Sequence, residues 1–366
     1  MRVVDRQFRV LVVVRVAAST HNRRSTAATP HERRSPEARI APLVAGSAIG
    51  RNRRLIGSVR YGMSNSLPDL ERPLPDLDGP FRGSTAIRAG LLTRGVLRGP
   101  RYRQVLGPVY VDATVALTSR LQAEAALMLT PGAVVSHDTA LSLWSADDRA
   151  AEIVHVTVRR DPRRTLPRVR GLRVHEVQRL DRALRAGLPL TSPERTFVDL
   201  SPYCDLTELV CAGDSLVRHS DAEPNHLVET ALAAIGVRGA RRAREAAALV
   251  RSGVDSPMES RLRLLLVFGG LPEPETGYVV TDSAGGWLAE PDLTYPHSKL
   301  GIEYDGKHHL VDARQWRLDI RRRENLEREG WRIRVVTAYD ILQIPHTVVA
   351  RVSEDLRARR HPLLAA

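Results

Sequence analysis

Residues 301–310 read GIEYDGKHHL, which places two carboxylates, a lysine and two adjacent histidines in a stretch that begins like a buried strand. Side chains alternate between the faces of an extended strand, so Leu300, Ile302 and Tyr304 are expected to pack inward while Gly301, Glu303 and Asp305 share the other face. In the preceding stretch, EPDLTY (290–295), the same alternation groups Glu290, Asp292 and Thr294. If the two segments pair as a hairpin, Asp292 and Glu303 meet at one end. Carboxylates gathered in this way repel unless a cation sits between them, and hard oxygen donors select Mg²⁺ or Mn²⁺. Such an ion polarises a phosphoryl oxygen and lowers the pKa of an attacking water.

Outward from this pair, Ser256, Pro257 and Glu259 open a helix whose apolar run LRLLLVFGG (262–270) ends at paired glycines. Strands are expected at TGYVVT (276–281), GWLAEPDLTY (286–295) and KLGIEYDG (299–306). A helix should follow from about Asp312 to Glu329, with Gly330 as its stop, then the strand WRIRVVT (331–337) and a closing helix from His346 to about Arg360. That order spells an α/β sandwich with a mixed central sheet. Glu259 has two readings of equal standing, a capping-box acid bonded back to the cap amide or a third metal-binding acid. The chain holds only two lysines, Lys299 and Lys307, and both flank the acidic strand. A compact ammonium there is placed to steady a nucleophile or a pentavalent phosphate.

SPMESRLRLLLVFGGLPEPE (256–275), EPDLTY, LGIEYDGKHH (300–309), DIRRRENLEREGWRIRVVT (319–337) and YDIL (339–342) follow one another in this order. Together they resemble the restriction-endonuclease-like domain of unknown function 559, related to very-short-patch-repair endonucleases of the PD-(D/E)XK superfamily. The resemblance implies a metal-dependent nuclease core in which Asp292 is the central ligand, Glu303 the second acid and Glu259 the candidate third. The superfamily pattern would place a lysine two residues after Glu303, where this chain has Asp305. Either Asp305 joins the metal shell and Lys307 reaches back, or the chemistry is lost. His308 or His309 is then a general base or proton shuttle, or the pair is a polar turn after Gly306.

The net charge of +13 looks like a nucleic-acid footprint, but residues 1–62 carry most of it, with 13 arginines against Asp5, Glu32 and Glu37. That segment has no periodicity and little to bury. It reads as disordered sequence upstream of a true start at Met63, with a basic arm or a targeting segment as alternatives. In the body, residues 81–111 hold six arginines and no acid. Ser84 is a candidate cap for a short helix, Gly90 its breaker and Thr93 the cap of a second, and RYRQVLGPVYV (101–111) alternates like a hairpin. This is a winged-helix order, with Arg94, Arg98, Arg101 and Arg103 as phosphate contacts. STAIRAGLLTRGVLRGPRYRQVLGPVYV (84–111), with PGAVVSHDTALSLW (131–144) and GLPLTSPERTFVDL (187–200), is similar to actinobacterial proteins that join an AbiEi-type antitoxin winged helix and middle domain to such a nuclease domain. On the late helix, Arg314, Arg317, Arg321 and Arg328 fall near one face that suits a phosphate backbone.

Between these ends, strands are expected at EIVHVTVRR (152–160) and near GLRVHEV (171–177), with a helix capped by Ser192. His137 and Asp138 have no partner at a diagnostic spacing and read as a turn and a helix cap. Cys204 and Cys211 lack a second pair, so neither a disulfide framework nor a zinc set is indicated, which suits a reducing cytoplasm. No apolar run approaches the ~18 residues of a membrane span.

The expected architecture is α/β and multidomain: a segment 1–62, a winged helix over 63–112, an α+β middle domain over 113–254 and an endonuclease-like domain over 255–366. The expected function is hydrolysis of phosphodiester bonds in double-stranded DNA with Mg²⁺ or Mn²⁺. Asp292, Glu303 and Asp305 with Glu259 would bind the metal, with Lys307 and His308 completing the catalytic set. The alternative is a non-catalytic, antitoxin-like DNA-binding regulator on a degenerate nuclease fold. A homodimer and a toxin-antitoxin or defence partner stay open.

Overall fold

The structure, a computed structural model, describes Leu77, residues 79–306 and 313–364, with the backbone alone for 313–320. The segment 1–62, Met63, Lys307, His308 and His309 lie outside the described residues. The chain is mixed α/β, with several separate sheets and helices packed against them.

The first elements are β1 (Phe81–Arg82), α1 (Gly83–Arg88), α2 (Arg94–Arg98), β2 (Tyr102–Leu106) and β3 (Val109–Asp112). The strands form an antiparallel sheet in the order β1-β3-β2 over a small core of Phe81, Ala86, Leu97 and Tyr102. Thr93 caps α2 as expected, its Oγ1 accepting from the Val96 N–H at 3.3 Å. Ser84 does not cap α1, because helical geometry already starts at Gly83, whose N–H donates to the Pro108 carbonyl at 3.0 Å. A side chain at Gly83 would run into Leu97 and Tyr110, so this junction requires glycine.

Next come α3 (Ser119–Leu129), β4 (Val134–Val135), α4 (His137–Trp144), β5 (Val154–Arg159), β6 (Leu172–Val177), β7 (Ala183–Arg185) and β8 (Leu188–Leu190). A five-stranded sheet runs β6-β5-β4-β8-β7, with β5–β6 and β4–β8 parallel. Helices α5 (Pro193–Leu200), α6 (Leu206–His219), α7 (Pro224–Ala233) and α8 (Ala240–Ala247) follow. Ser192 caps α5 with Pro193 in its first turn, as its sequence announces.

The last elements are α9 (Pro257–Phe268), β9 (Val280–Thr281), β10 (Trp287–Ala289), β11 (Leu293–Tyr295), β12 (Leu300–Asp305), α10 (Ala313–Arg328), β13 (Arg332–Thr337), α11 (Ala338–Gln343) and α12 (Pro345–Ala358). The expected strand over 286–295 is broken at Glu290–Asp292, where Pro291 offers no N–H to a ladder. Its first half pairs with β9, and its second half joins a mixed sheet in the order β11-β12-β13. There β11 runs antiparallel and β13 parallel to β12. Leu262, Leu266, Leu300, Ile302, Val348 and Val352 form the core between α9, this sheet and α12.

The regions share interior contacts. Leu106 and Val109 of the hairpin pack in one cluster with Val154 and Val156 of β5. On α9, Arg263 is fully buried and binds Asp214 of α6 at 3.0 Å, Glu273 at 3.0 Å and the Leu249 carbonyl at 2.8 Å. Ser260 donates to the same Asp214 at 2.7 Å. Among the described residues, no helix is long and apolar enough to cross a membrane.

Candidate active site

Leu293 faces Ile302 and Thr294 faces Gly301 across the β11–β12 ladder, so the same register carried one residue further sets Asp292 opposite Glu303. This is the meeting expected from alternation. Asp292 Oδ2 accepts the Tyr304 backbone N–H at 2.7 Å, which ties the carboxylate to the strand just beyond the ladder's end. Burial pushes Asp292 up to about 6; the Tyr304 hydrogen bond and Arg322 work against the rise, and the charges of Glu259 and Glu303 add to it. Both other expected acids therefore act on Asp292.

Glu259 stands in the first turn of α9, only 7 % exposed. Ser256 Oγ accepts its N–H at 3.3 Å, and its Oε2 accepts the Asp255 N–H at 2.8 Å. The cap reading holds in this modified form, with the acid reaching one residue beyond the cap. Burial raises its pKa, opposed by the hydrogen bonds of the Ser256 turn and by Arg218, which is itself ion-paired with Asp255.

Glu303 is half-buried and bound by Arg322 of α10, Nη2 to Oε1 at 2.9 Å. Sequence reasoning passed over Arg322 in favour of Arg314, Arg317, Arg321 and Arg328. Its only signal was membership of the run Arg321–Arg323, of which Arg321 and Arg323 are exposed and Arg322 turns inward. Asp305 is exposed at the end of β12, in register with Thr337. Lys299, at the opposite end of β12, donates to the Glu329 carbonyl at 2.7 Å and so closes the α10–β13 turn. Lys307 and His308 fall outside the described residues.

The donor set fits a hard cation, since every candidate ligand is a carboxylate oxygen. Asp292 Oδ2 accepts the Tyr304 N–H, and Glu303 Oε1 accepts from Arg322. The acids do not form a set whose donor atoms all lie within 4.8 Å of one another.

Of the expected phosphate contacts, Arg94, Arg98 and Arg101 are exposed. Arg101 also lies 3.8 Å from Asp112 and over the Tyr102 ring. Arg103 departs from the expectation: its guanidinium donates to the Val115 carbonyl and its Nε is buried, so it pins the hairpin to the following loop. Arg321 is exposed on α10, and Arg317 belongs to the stretch of that helix described by backbone alone.

The raised Asp292 predicts a stability effect. An acid whose folded pKa is raised contributes stability below its unfolded pKa, and loses it as pH rises through about 6. Asp292→Asn keeps an acceptor for Tyr304 and removes the charge. In metal-free buffer it should be more stable than the wild type at pH 8, by about 1–2 kcal/mol after allowance for solvent screening. Thermal melts at pH 4 and pH 8 check this, and an equal gap at both pH values would contradict it.

No protein-family model matches the chain. It is 27 % identical over 230 residues to Uncharacterized protein Rv2248 of Mycobacterium tuberculosis strain H37Rv, an overlap spanning 62 % of this chain and 83 % of that one. The same figures hold for Uncharacterized protein MT2308 of strain CDC 1551. Among solved structures, the crystal structure of RV2827C protein from Mycobacterium tuberculosis aligns over 54 % of this chain and 80 % of its own, at 15 % identity and a TM-score of 0.31, a superposition too loose to carry a fold assignment.

Proposed function

We propose that the chain is a metal-dependent DNA endonuclease, with its active site at the end of the β11–β12 pair. The observation that carries this reading is the placement of Asp292 directly across from Glu303 by strand register, beside the buried start of α9. In this reading β11, β12 and β13 with α9 and α12 form a restriction-endonuclease-like core, and α1, α2 and the β2–β3 hairpin form a winged-helix arm that holds duplex DNA. Asp292 and Glu303 hold Mg²⁺ or Mn²⁺, and Glu259 adds negative charge behind them. When bound, such an ion polarises a phosphoryl oxygen and acidifies the attacking water. Arg322, paired with Glu303 at 2.9 Å, would supply positive charge for a phosphate bound at this end of β12.

The test is relaxation of supercoiled plasmid by the purified chain with Mg²⁺, with Mn²⁺ and with chelator. Metal-dependent nicking supports the reading; intact plasmid under all three conditions removes it.

A second reading, a DNA-binding regulator on a degenerate nuclease fold, draws on two observations. Asp305 occupies the position of the superfamily lysine, and Arg322 already neutralises Glu303 at 2.9 Å. This regulator would bind particular duplex sequences and leave the strands intact.

Both readings give the exposed Arg94 and Arg98 to phosphates. The Arg94→Ala, Arg98→Ala double variant should lower the slope of log affinity against log salt by about two, because each phosphate contact releases about one counterion. Fluorescence anisotropy over a salt series measures it, and an unchanged slope takes these arginines off the DNA.

A further inference from the structure

Three histidines far apart in sequence meet on the five-stranded sheet. His155 on β5 and His175 on β6 come from parallel neighbours, with His155 in register with Arg173 and His175 with Thr157. Residues two apart share a face, so both imidazoles leave the sheet on the same side as Thr157. Next to them β4 ends, the Ser136 N–H donates to the His155 carbonyl at 3.0 Å, and His137 follows at the start of α4. The rings of His137 and His175 stack with centroids 3.8 Å apart, and His155 Nδ1 lies 3.0 Å from His175 Nε2. One ring nitrogen from each of the three lies within 4.8 Å of those of the other two.

The backbone around His137 is arranged for this meeting at a cost. His137 has φ of +54°, a left-handed conformation that a non-glycine residue adopts only when its surroundings compel it, at about 1 kcal/mol or more. Ser136 occupies the cap position of α4, yet its hydroxyl makes no cap hydrogen bond. Instead it lies 2.9 Å from His137 Nδ1 and accepts from Thr157 Oγ1 at 2.8 Å. Ser136 thereby fixes the orientation of the His137 ring, as outer hydrogen bonds orient metal-ligating histidines.

We propose that His137, His155 and His175 bind a borderline divalent transition-metal ion of the zinc type, one ring nitrogen from each, at a site separate from the carboxylates. Three imidazoles without a carboxylate select zinc-like ions over Mg²⁺. Metal–nitrogen bonds of about 2.0–2.1 Å require donor nitrogens about 3.3 Å apart, so the stacked His137 and His175 rings would turn out of their near-parallel arrangement to aim both lone pairs at one ion. His137 and His155 are buried and His175 is half-buried. Tyr203 lies edge-on to His137 and His175 and is 50 % exposed, which puts the cluster one side chain away from solvent on that side. Burial, with the neighbouring charge of Arg173, keeps all three rings neutral at pH 7, the form that ligates. Of the nearby cations, Arg195 is paired with Asp199 at 2.7 Å and Arg173 projects to solvent. The metal would pin the β4–α4 junction to β5 and β6. This proposal does not depend on the nuclease reading.

The experiment uses the chelator-treated full chain, titrated with Co²⁺ at neutral pH and followed by its visible d–d absorption. One equivalent should bind to the wild type. His175→Ala, which removes the half-buried ring, should weaken binding about a hundredfold or more, whereas Asp292→Asn, which disables the carboxylate pair, should not change it. The proposal is overturned if the wild type gives no bands, if His175→Ala retains them, or if Asp292→Asn loses them, which would put the ion on the carboxylates. Should His175→Ala fail to fold, X-ray absorption on the zinc-loaded wild type decides: about three imidazole nitrogens at about 2.0 Å supports the site, and a purely oxygen shell overturns it.

Discussion

Asp292→Ala should abolish metal-dependent nicking of supercoiled plasmid, a loss of about a thousandfold or more, with DNA affinity within about twofold of the wild type. The magnitude follows from the site. Asp292 stands just before β11, bonded to the Tyr304 N–H of β12, where it feels both Glu259 and Glu303. Losing one of two main oxygen ligands to a hard cation forfeits several kcal/mol of charge stabilisation in the transition state, and each 1.36 kcal/mol is tenfold in rate. Asp292→Asn separates chemistry from structure, since it keeps an acceptor for the Tyr304 N–H while lacking the charge. It should be as inactive as the alanine variant and at least as stable as the wild type at pH 8. Binding should survive because the exposed Arg94 and Arg98 lie on another part of the chain. Nicking at the wild-type rate by either variant would remove Asp292 from the reaction. An inactive wild type that binds one duplex sequence tightly would move the weight to the regulator.

The second large effect concerns stability. Arg263→Ala should cost about 3–5 kcal/mol, because it leaves the buried Asp214 without its counter-charge. Arg263 is fully buried, and Asp214 is 2 % exposed; the guanidinium also satisfies the Leu249 carbonyl and Glu273. Its Nε has no partner among the described residues, so the cluster is already imperfectly satisfied and has little to spare. In a chain of this size the loss corresponds to a fall of about 5–8 °C in melting temperature. The control is Arg263→Met with Asp214→Leu, which replaces the charged pair by apolar volume and should recover most of the loss, as buried pairs exchanged for hydrophobic side chains commonly do. A single variant that melts within 2 °C of the wild type, roughly 1 kcal/mol or less, would show that this network is not what joins α6 to α9.

Much of the C-terminal site was legible in the chain before any fold was known. Period-two alternation through EPDLTY and LGIEYD puts Asp292 and Glu303 on one face, and the antiparallel register of Leu293–Tyr295 against Leu300–Ile302 agrees with it, because side-chain period is a local property of an extended backbone. Thr93, Ser192 and Ser256 announce helix starts for the same reason, since a cap hydrogen bond spans three residues. Pro291 should have split the long strand expected over 286–295. Its missing N–H interrupts the run between Ala289 and Leu293.

What was hidden depended on which distant segments become neighbours. Arg322 and Arg321 are indistinguishable in the run RRR; only the packing of α10 against β12 selects the one that reaches Glu303. Arg263 looks like a surface residue in an amphipathic helix until α6 is laid against it and covers it with Asp214. His137 was set aside for want of a partner at close spacing, while its partners stand 18 and 38 residues on, at polar positions of strands whose alternate residues are apolar. Sheet order β6-β5-β4 and the parallel register of β5 with β6 stack the three rings. Strand faces and helix caps follow from torsions and hydrogen bonds spanning a few residues and are therefore readable along the chain. The pairing of strands and the burial of charged helix faces follow from the packing of whole elements, which no short stretch encodes.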